Sequence, residues 1–152
     1  MLARDLAIDY PVVGLDDDAL AAAHLLVERH LPGLVVMDGD WRPMTVLPGS
    51  QVVRFLVPGY VQDDPALARV VDEMHADRLC ASLSGKRVSD LLPHEAPVLP
   101  VVGAGDTALE IAAVMAQAHS PLVAVVSEDG GTGGQLLGVV TASRLLERLL
   151  TK

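Results

Sequence analysis

Residues 18–38, DALAAAHLLVERHLPGLVVMD, are answered by residues 107–127, TALEIAAVMAQAHSPLVAVVS. Ala19-Leu20 aligns with Ala108-Leu109, Ala23 with Ala112, and His30-Leu31-Pro32 with His119-Ser120-Pro121, each pair 89 positions apart. Further on, Val46 to Gln51 aligns with Val139 to Arg144, now 93 apart. The extra length of the second copy falls in Gly130-Gly131-Thr132-Gly133-Gly134, where a glycine-rich loop absorbs it. A helix–strand–strand–helix unit written twice moves the functional question to the seam between copies.

The local signals agree with that unit. Asp16-Asp17-Asp18 precedes an alanine-rich run, and carboxylates suit the exposed N–H groups of a helix start. Pro32-Gly33 stops this helix near Leu31. Leu20, Ala23, Val27 and Leu31 recur at helical spacing and are expected as its buried stripe. Leu34 to Met37 is a short continuous apolar run, the pattern of a strand covered on both faces. After the turn Asp38-Gly39-Asp40, Met44 to Leu47 is its partner, and a short helix is expected near Gln51–Leu56. In the second copy the strands are expected at Val98–Val102, Val123–Val126 and Leu136–Val140. Thr107 and Glu110 have capping-box spacing, and the closing helix runs from Ser143 to Leu150. Val88-Ser89-Asp90-Leu91 echoes Ala3-Arg4-Asp5-Leu6.

Three segments result: repeat 1 over 1–57, a helical insert over 58–87, and repeat 2 over 88–152. The insert opens at Asp63-Asp64-Pro65, and Leu67, Val70, Val71, Met74 and Leu79 give it an apolar stripe.

Bulk properties narrow the function. With 152 residues the chain holds two half-sized units, each marginal alone because a unit of about 60 residues buries too little surface. Hydrophobic residues are 51% and mean hydropathy is +0.39, a surplus that points to an oligomer interface. The net charge of −9 opposes non-specific nucleic-acid binding, and 3% aromatics leaves little for base-stacking platforms. No apolar run reaches the roughly 18 residues needed to span a bilayer. Met1 to Asp9, broken by Asp5 and Asp9, does not read as a signal peptide, and a cytoplasmic location is expected. Cys80 is the sole cysteine, so neither a disulfide framework nor a cysteine metal site is expected.

The order of elements, with Gly138-Val139-Val140-Thr141 after a hairpin and then a short helix, resembles the CBS domain, named for cystathionine β-synthase. Such domains occur as tandem pairs, and the resemblance covers both repeats. Val46-Leu47-Pro48-Gly49-Ser50 with the helical insert is similar to stand-alone bacterial CBS-pair proteins. The resemblance implies an α/β fold of two βαββα repeats about a pseudo-two-fold axis, with an extra helix between them. It implies a non-enzymatic regulatory module that binds AMP, ADP, ATP or S-adenosylmethionine in the inter-repeat cleft and signals to a partner protein such as a transporter or enzyme. It also implies a homodimer. In the family a Thr or Ser after the Gly-x-x strand meets phosphate, and an Asp three positions later grips the ribose.

This chain departs from that pattern. Thr141 is present, but Arg144 stands where the Asp is expected. Repeat 1 has Pro48 and Gln51 at those places, and the family's middle-strand proline is Val35 in one copy and Ala124 in the other. Losing a hydrogen bond to a charged group weakens binding by about tenfold to a hundredfold. Arg144 is expected to offset part of that through a charge-assisted contact to phosphate. The expected site is therefore in repeat 2: Val98 and Val125 against the base, Thr141 and Ser143 donating to phosphate, Arg144 adding charge, and His119 at a bordering helix end. Ser50 and Gln51 mark a weaker second site. The other reading is a dimerising interaction module that has lost its ligand.

Remaining patterns read as scaffold. The glycine stretch 130–134 lacks the Gly-Lys-Ser/Thr of a phosphate loop. Gly103-Ala104-Gly105-Asp106 is a turn and cap. Glu73, His75 and Asp77 alternate along a helix and cannot converge on a metal. His30 and His119 suit helix C-termini, where the dipole favours a cation. Thr141 and Ser143 can cap the closing helix, Arg144 can pair with Glu147 or Glu28, and Cys80 suits a small core residue. No catalytic set and no metal site is expected.

Overall fold

Each apolar run of the duplicated stretch becomes a strand and each alanine-rich run a helix. The computed structural model describes residues 1–57, 66, 81–127 and 135–151. Its elements are α1 (Ala3–Leu6), β1 (Val12–Gly14), α2 (Ala19–Arg29), β2 (Gly33–Met37), β3 (Pro43–Pro48), α3 (Gly49–Leu56), α4 (Val88–Leu91), β4 (Val101–Gly103), α5 (Ala108–Ala118), β5 (Leu122–Val126), β6 (Leu136–Thr141) and α6 (Ala142–Leu150). Two three-stranded sheets have the orders β1-β2-β3 and β4-β5-β6. The insert helix expected from Asp63, the Glu73–His75–Asp77 group, Cys80 and the glycine stretch 130–134 lie outside the described residues. The strand expected over Val98–Val102 forms only at Val101–Gly103. Pro100 has no N–H to give a ladder, which sets the start.

The chain divides into two compact units, Met1–Val12 with Val35–Val46 and Pro97–Lys152, and Val13–Leu34 with Leu47–Ala96. In the first, β5 pairs parallel with β4 (Val101 with Ala124) and antiparallel with β6 (Ala124 with Val139, Leu122 with Thr141). Alternation along β5 splits its side chains between two cores. Val123 and Val125 face Ile111, Met115 and Leu145 of the covering helices, together with Ala3 and Leu6 of α1. Leu122 and Ala124 face the other way, toward Val35, Met37, Val46 and Leu99. Each large side chain so buried contributes about 1.5–3 kcal/mol.

In the second unit α2, α3 and α4 pack on one another. The face of α2 that is buried carries Ala19, Ala22 and Leu26. The expected stripe of Leu20, Ala23, Val27 and Leu31 is not the core face; Val27 is 71% exposed. Small alanines let neighbouring elements approach the helix closely, so the bulkier apolar line is left at the surface. There it edges a groove of ≈ 540 Å³ with Val52, Val53 and Leu56 of α3.

The acidic triplet acts as turn and cap. Asp18 accepts from the Ala21 N–H (3.1 Å), Asp17 accepts from the Gly14 N–H (2.7 Å), and Asp16 meets Arg87 at 3.3 Å in the open. Asp106, 89 positions after Asp17, repeats its role on the Gly103 N–H (3.0 Å). Thr107 and Glu110 form the expected capping box.

The leading turns are docked crosswise. α1 precedes repeat 1, yet it seats on the start of α5: Ala3 N–H donates to Asp106 O (2.7 Å), Arg4 N–H to Ala104 O (3.0 Å), and Ala108 N–H to Met1 O (3.2 Å). α4 precedes repeat 2, yet it seats on the start of α2: Val88 N–H donates to Asp17 O (2.9 Å), Ser89 N–H to Leu15 O (3.0 Å), and Ala19 N–H to Lys86 O (2.9 Å). The two sets of bonds are position-for-position equivalents.

One turn is unusual. Asp38 accepts from the N–H groups of Asp40 (2.9 Å) and Arg42 (3.0 Å), while Trp41 N–H donates to Asp38 O (3.0 Å). This holds Trp41 at φ 60, a left-handed conformation that a bulky residue adopts at a cost of about 1–3 kcal/mol.

Candidate functional site

Both repeats stitch the end of one helix to the start of another. Ala142 N–H donates to Pro121 O (3.0 Å), and Gly49 N–H donates to Pro32 O (3.2 Å). Just before each proline, His119 and His30 hold left-handed φ of 52 and 50 as C-caps. A Pro cannot continue the helix, and the left-handed cap turns the chain into the next strand. The outcome is a corner at the N-terminus of α6 in repeat 2, and at that of α3 in repeat 1.

The two corners differ in what they offer. In repeat 2, Thr141 is the N-cap, and its hydroxyl oxygen accepts from the Arg144 N–H (3.1 Å). The hydroxyl hydrogen stays available to donate. Ser143 is exposed in the first turn. Arg144 is half-buried, and its Nε is buried with no hydrogen-bond partner among the described residues. The ion pair that Arg144 could make with Glu147 does not form; Arg87–Asp16 is the pair present among the described residues. A buried guanidinium N–H without a partner costs about 1–3 kcal/mol, which an arriving anion would recover. In repeat 1, Pro48 is the N-cap and gives no side-chain bond. Ser50 is exposed, but Gln51 is committed: its Nε2 donates to Leu91 O (3.0 Å) and ties α3 to α4.

Thr141, Ser143 and Arg144 therefore come together, with His119 two residues from the stitched Pro121. Val98 and Val125 do not join them on one surface. Val98 lies ahead of β4 and is 85% exposed, while Val125 is wholly buried beneath the helices. The register brings Val101 into one row with Ala124 and Val139, beside the row of Leu122 and Thr141. Val101 is exposed on the face that the Thr141 row shares, across β5 from Thr141, and is an apolar candidate that sequence reasoning missed. Register supplies that phase; a continuous apolar strand does not. Among the described residues no group of three or more His, Cys, Asp or Glu could hold a metal, and no helix is long and apolar enough to cross a membrane.

Two α/β repeats, each closing on a strand–helix corner, define a tandem-repeat module, and comparison with known proteins gives its family. A CBS domain model matches residues 88–151. A CBS domain-containing protein from Kribbella flavida is 52% identical over 99% of both chains, with a TM-score of 0.87. The chain belongs to the CBS-domain family. CBSX2, a CBS-pair protein from Arabidopsis thaliana, has been solved in complex with AMP; it is 22% identical, with 98% and 96% of the two chains covered and a TM-score of 0.63. A CBS domain-containing protein from Bacillus anthracis is 16% identical, with 100% and 94% covered and a TM-score of 0.68. No protein with a curated description matches the sequence.

Proposed function

We propose that this CBS pair is a non-enzymatic sensor that binds an adenine nucleotide or related anion at the Thr141–Arg144 corner and signals to a partner protein. In this reading residues 1–57 and 88–152 are the repeats and 58–87 joins them. The observation that carries it is Arg144: a half-buried guanidinium with an unpartnered Nε beside a helix N-terminus. Backbone N–H groups and the helix dipole there favour an anion, the Thr141 and Ser143 hydroxyls donate to it, and Arg144 completes its charge balance. The AMP held by CBSX2 makes a nucleotide the first ligand to try. Arg144 in place of the ribose-binding acid favours contact with phosphate over contact with sugar. Val101 offers apolar surface to a base. A thermal-shift series with AMP, ATP and S-adenosylmethionine is expected to raise the melting temperature with at least one of them. Arg144→Ala is expected to weaken that ligand by about tenfold to a hundredfold. No shift by any of the three at millimolar concentration, or equal binding by the variant, defeats the proposal.

A second reading, a homodimeric interaction module, is favoured by a separate observation. Val53 on α3 and Leu146 on α6 hold equivalent positions 93 apart and are 58% and 55% exposed. Leu149 and Leu150 are also exposed on α6, and Leu109 is exposed on α5. Apolar residues repeated on outer helix faces suit a second copy that carries the same faces. Light scattering at micromolar concentration is expected to give a dimer for the parent and a monomer for Leu146→Asp. A monomeric parent ends this reading.

A further inference from the structure

The turn that holds Trp41 borders a recess of ≈ 440 Å³, within the size range of small-molecule sites. Its floor is apolar, with Val12 and Leu136, and its rim carries Asp40, Trp41, Arg42 and Gln135. It shares no residue with the Thr141–Arg144 corner. Trp41 is the chain's single tryptophan and is 60% exposed, yet it does not hang free. The Asp38 bonds to its two neighbours fix its backbone at φ 60, and Trp41 lines the recess. The side chains of Asp40, Trp41, Arg42 and Gln135 make no hydrogen bond or ion pair among the described residues.

The chemistry of these groups is mixed in a specific way. An indole face stacks on a flat ring. A guanidinium makes charge-assisted bonds to an anion. A glutamine amide donates and accepts, and a carboxylate accepts from ring N–H or amino groups. We infer that this recess binds a flat nitrogen heterocycle bearing an anionic group, a nucleotide held by its base, at a second place distinct from the Thr141–Arg144 corner. The inference shares its ligand class with the proposed function, but the two fail separately. Trp41 takes the face of the ring, Gln135 and Asp40 meet its edge, and Arg42 takes the anion.

Because Trp41 is the only tryptophan, its emission reports on this recess. The full chain is titrated with AMP, with adenine and with ribose 5-phosphate. AMP is expected to quench saturably, adenine to quench more weakly, and ribose 5-phosphate to leave the emission unchanged. Arg42→Gln is expected to weaken AMP by about tenfold. Trp41→Gly suits the left-handed turn and so keeps the fold; by calorimetry it is expected to lose about tenfold in AMP affinity at one of two sites. Quenching that survives in Arg144→Ala supports a separate recess. Quenching that vanishes in Arg144→Ala places the ligand at the corner alone, which overturns this inference and leaves the proposed function standing. Emission unmoved by millimolar AMP and adenine overturns it outright.

Discussion

Gly138→Ala is expected to cost about 2–3 kcal/mol and to lower the melting temperature by roughly 5–10 °C. A Cβ on residue 138 would stand 2.8 Å from Ile8 O and 3.0 Å from the Ala7 Cβ. Both obstacles are at or next to the backbone, so no side-chain rotation removes the clash. The segment after α1 is held on β6 at this point by an isolated bridge: Ile8 N–H donates to Val139 O and Val139 N–H to Ile8 O, each at 3.0 Å. Relief of the clash breaks that pairing and lifts the segment that carries Ala3 and Leu6. The matched control is Gly39→Ala, where nothing lies within 4 Å of the added atom. Its effect is expected to stay within about 0.5 kcal/mol. Urea unfolding of the two variants beside the parent decides the matter; an equal loss in both contradicts the close approach. Position 45, the equivalent of 138 in repeat 1, shows the contrast. Thr45 is buried there, and its hydroxyl donates to Pro97 O, so that copy has room for a side chain.

Leu6→Ala is expected to lose about 3 kcal/mol, within the usual range for a buried leucine. Leu6 is fully buried, in a cluster with Ile111, Val123, Val125 and Leu145. Its four-residue helix is too short to persist alone. The expected damage therefore falls on the body of repeat 2, although Leu6 belongs to repeat 1 in the chain. Hydrogen exchange reads this directly: amides of α5 and β5 should lose protection in Leu6→Ala. Leu91→Ala is the reciprocal variant and should weaken α2 and α3, since Leu91 is buried and its carbonyl holds Gln51. Loss of protection near residue 6 alone would show that the leading turn carries no load.

Much of this arrangement is legible in the amino-acid order. The 89-residue offset places both long helices, the histidines at their C-termini and the strands behind them, because caps and stops are local chemistry. Burial is harder where composition is uniform. α2 is apolar on two faces, and size alone favours Leu20 and Val27, whereas the packed face holds Ala19 and Ala22. β5 is apolar throughout, so nothing in it says whether Val125 or Ala124 turns toward the helices; pairing with Val101 and Val139 decides. The candidate site was readable as Thr141, Ser143 and Arg144 because a strand–cap–helix sequence brings those three together by itself. Val101 was not readable, since its place depends on register. The turn at Asp38-Gly39-Asp40 was visible too, but the left-handed residue falls on Trp41, where two N–H groups answering one carboxylate require it.

The crosswise docking of α1 and α4 has a bearing on how this protein can change over generations. A repeat copied out on its own would leave behind the turn that closes its core and carry away the one that closes its neighbour's. Neither half is a self-sufficient inheritance. A substitution in the first ten residues is tested by selection on the fitness of the far half, and residues near 90 answer for the near half. Duplicated halves usually drift apart freely. Here the corner residues differ, Arg144 against Gln51, while the heads and the seats that receive them keep matching bonds.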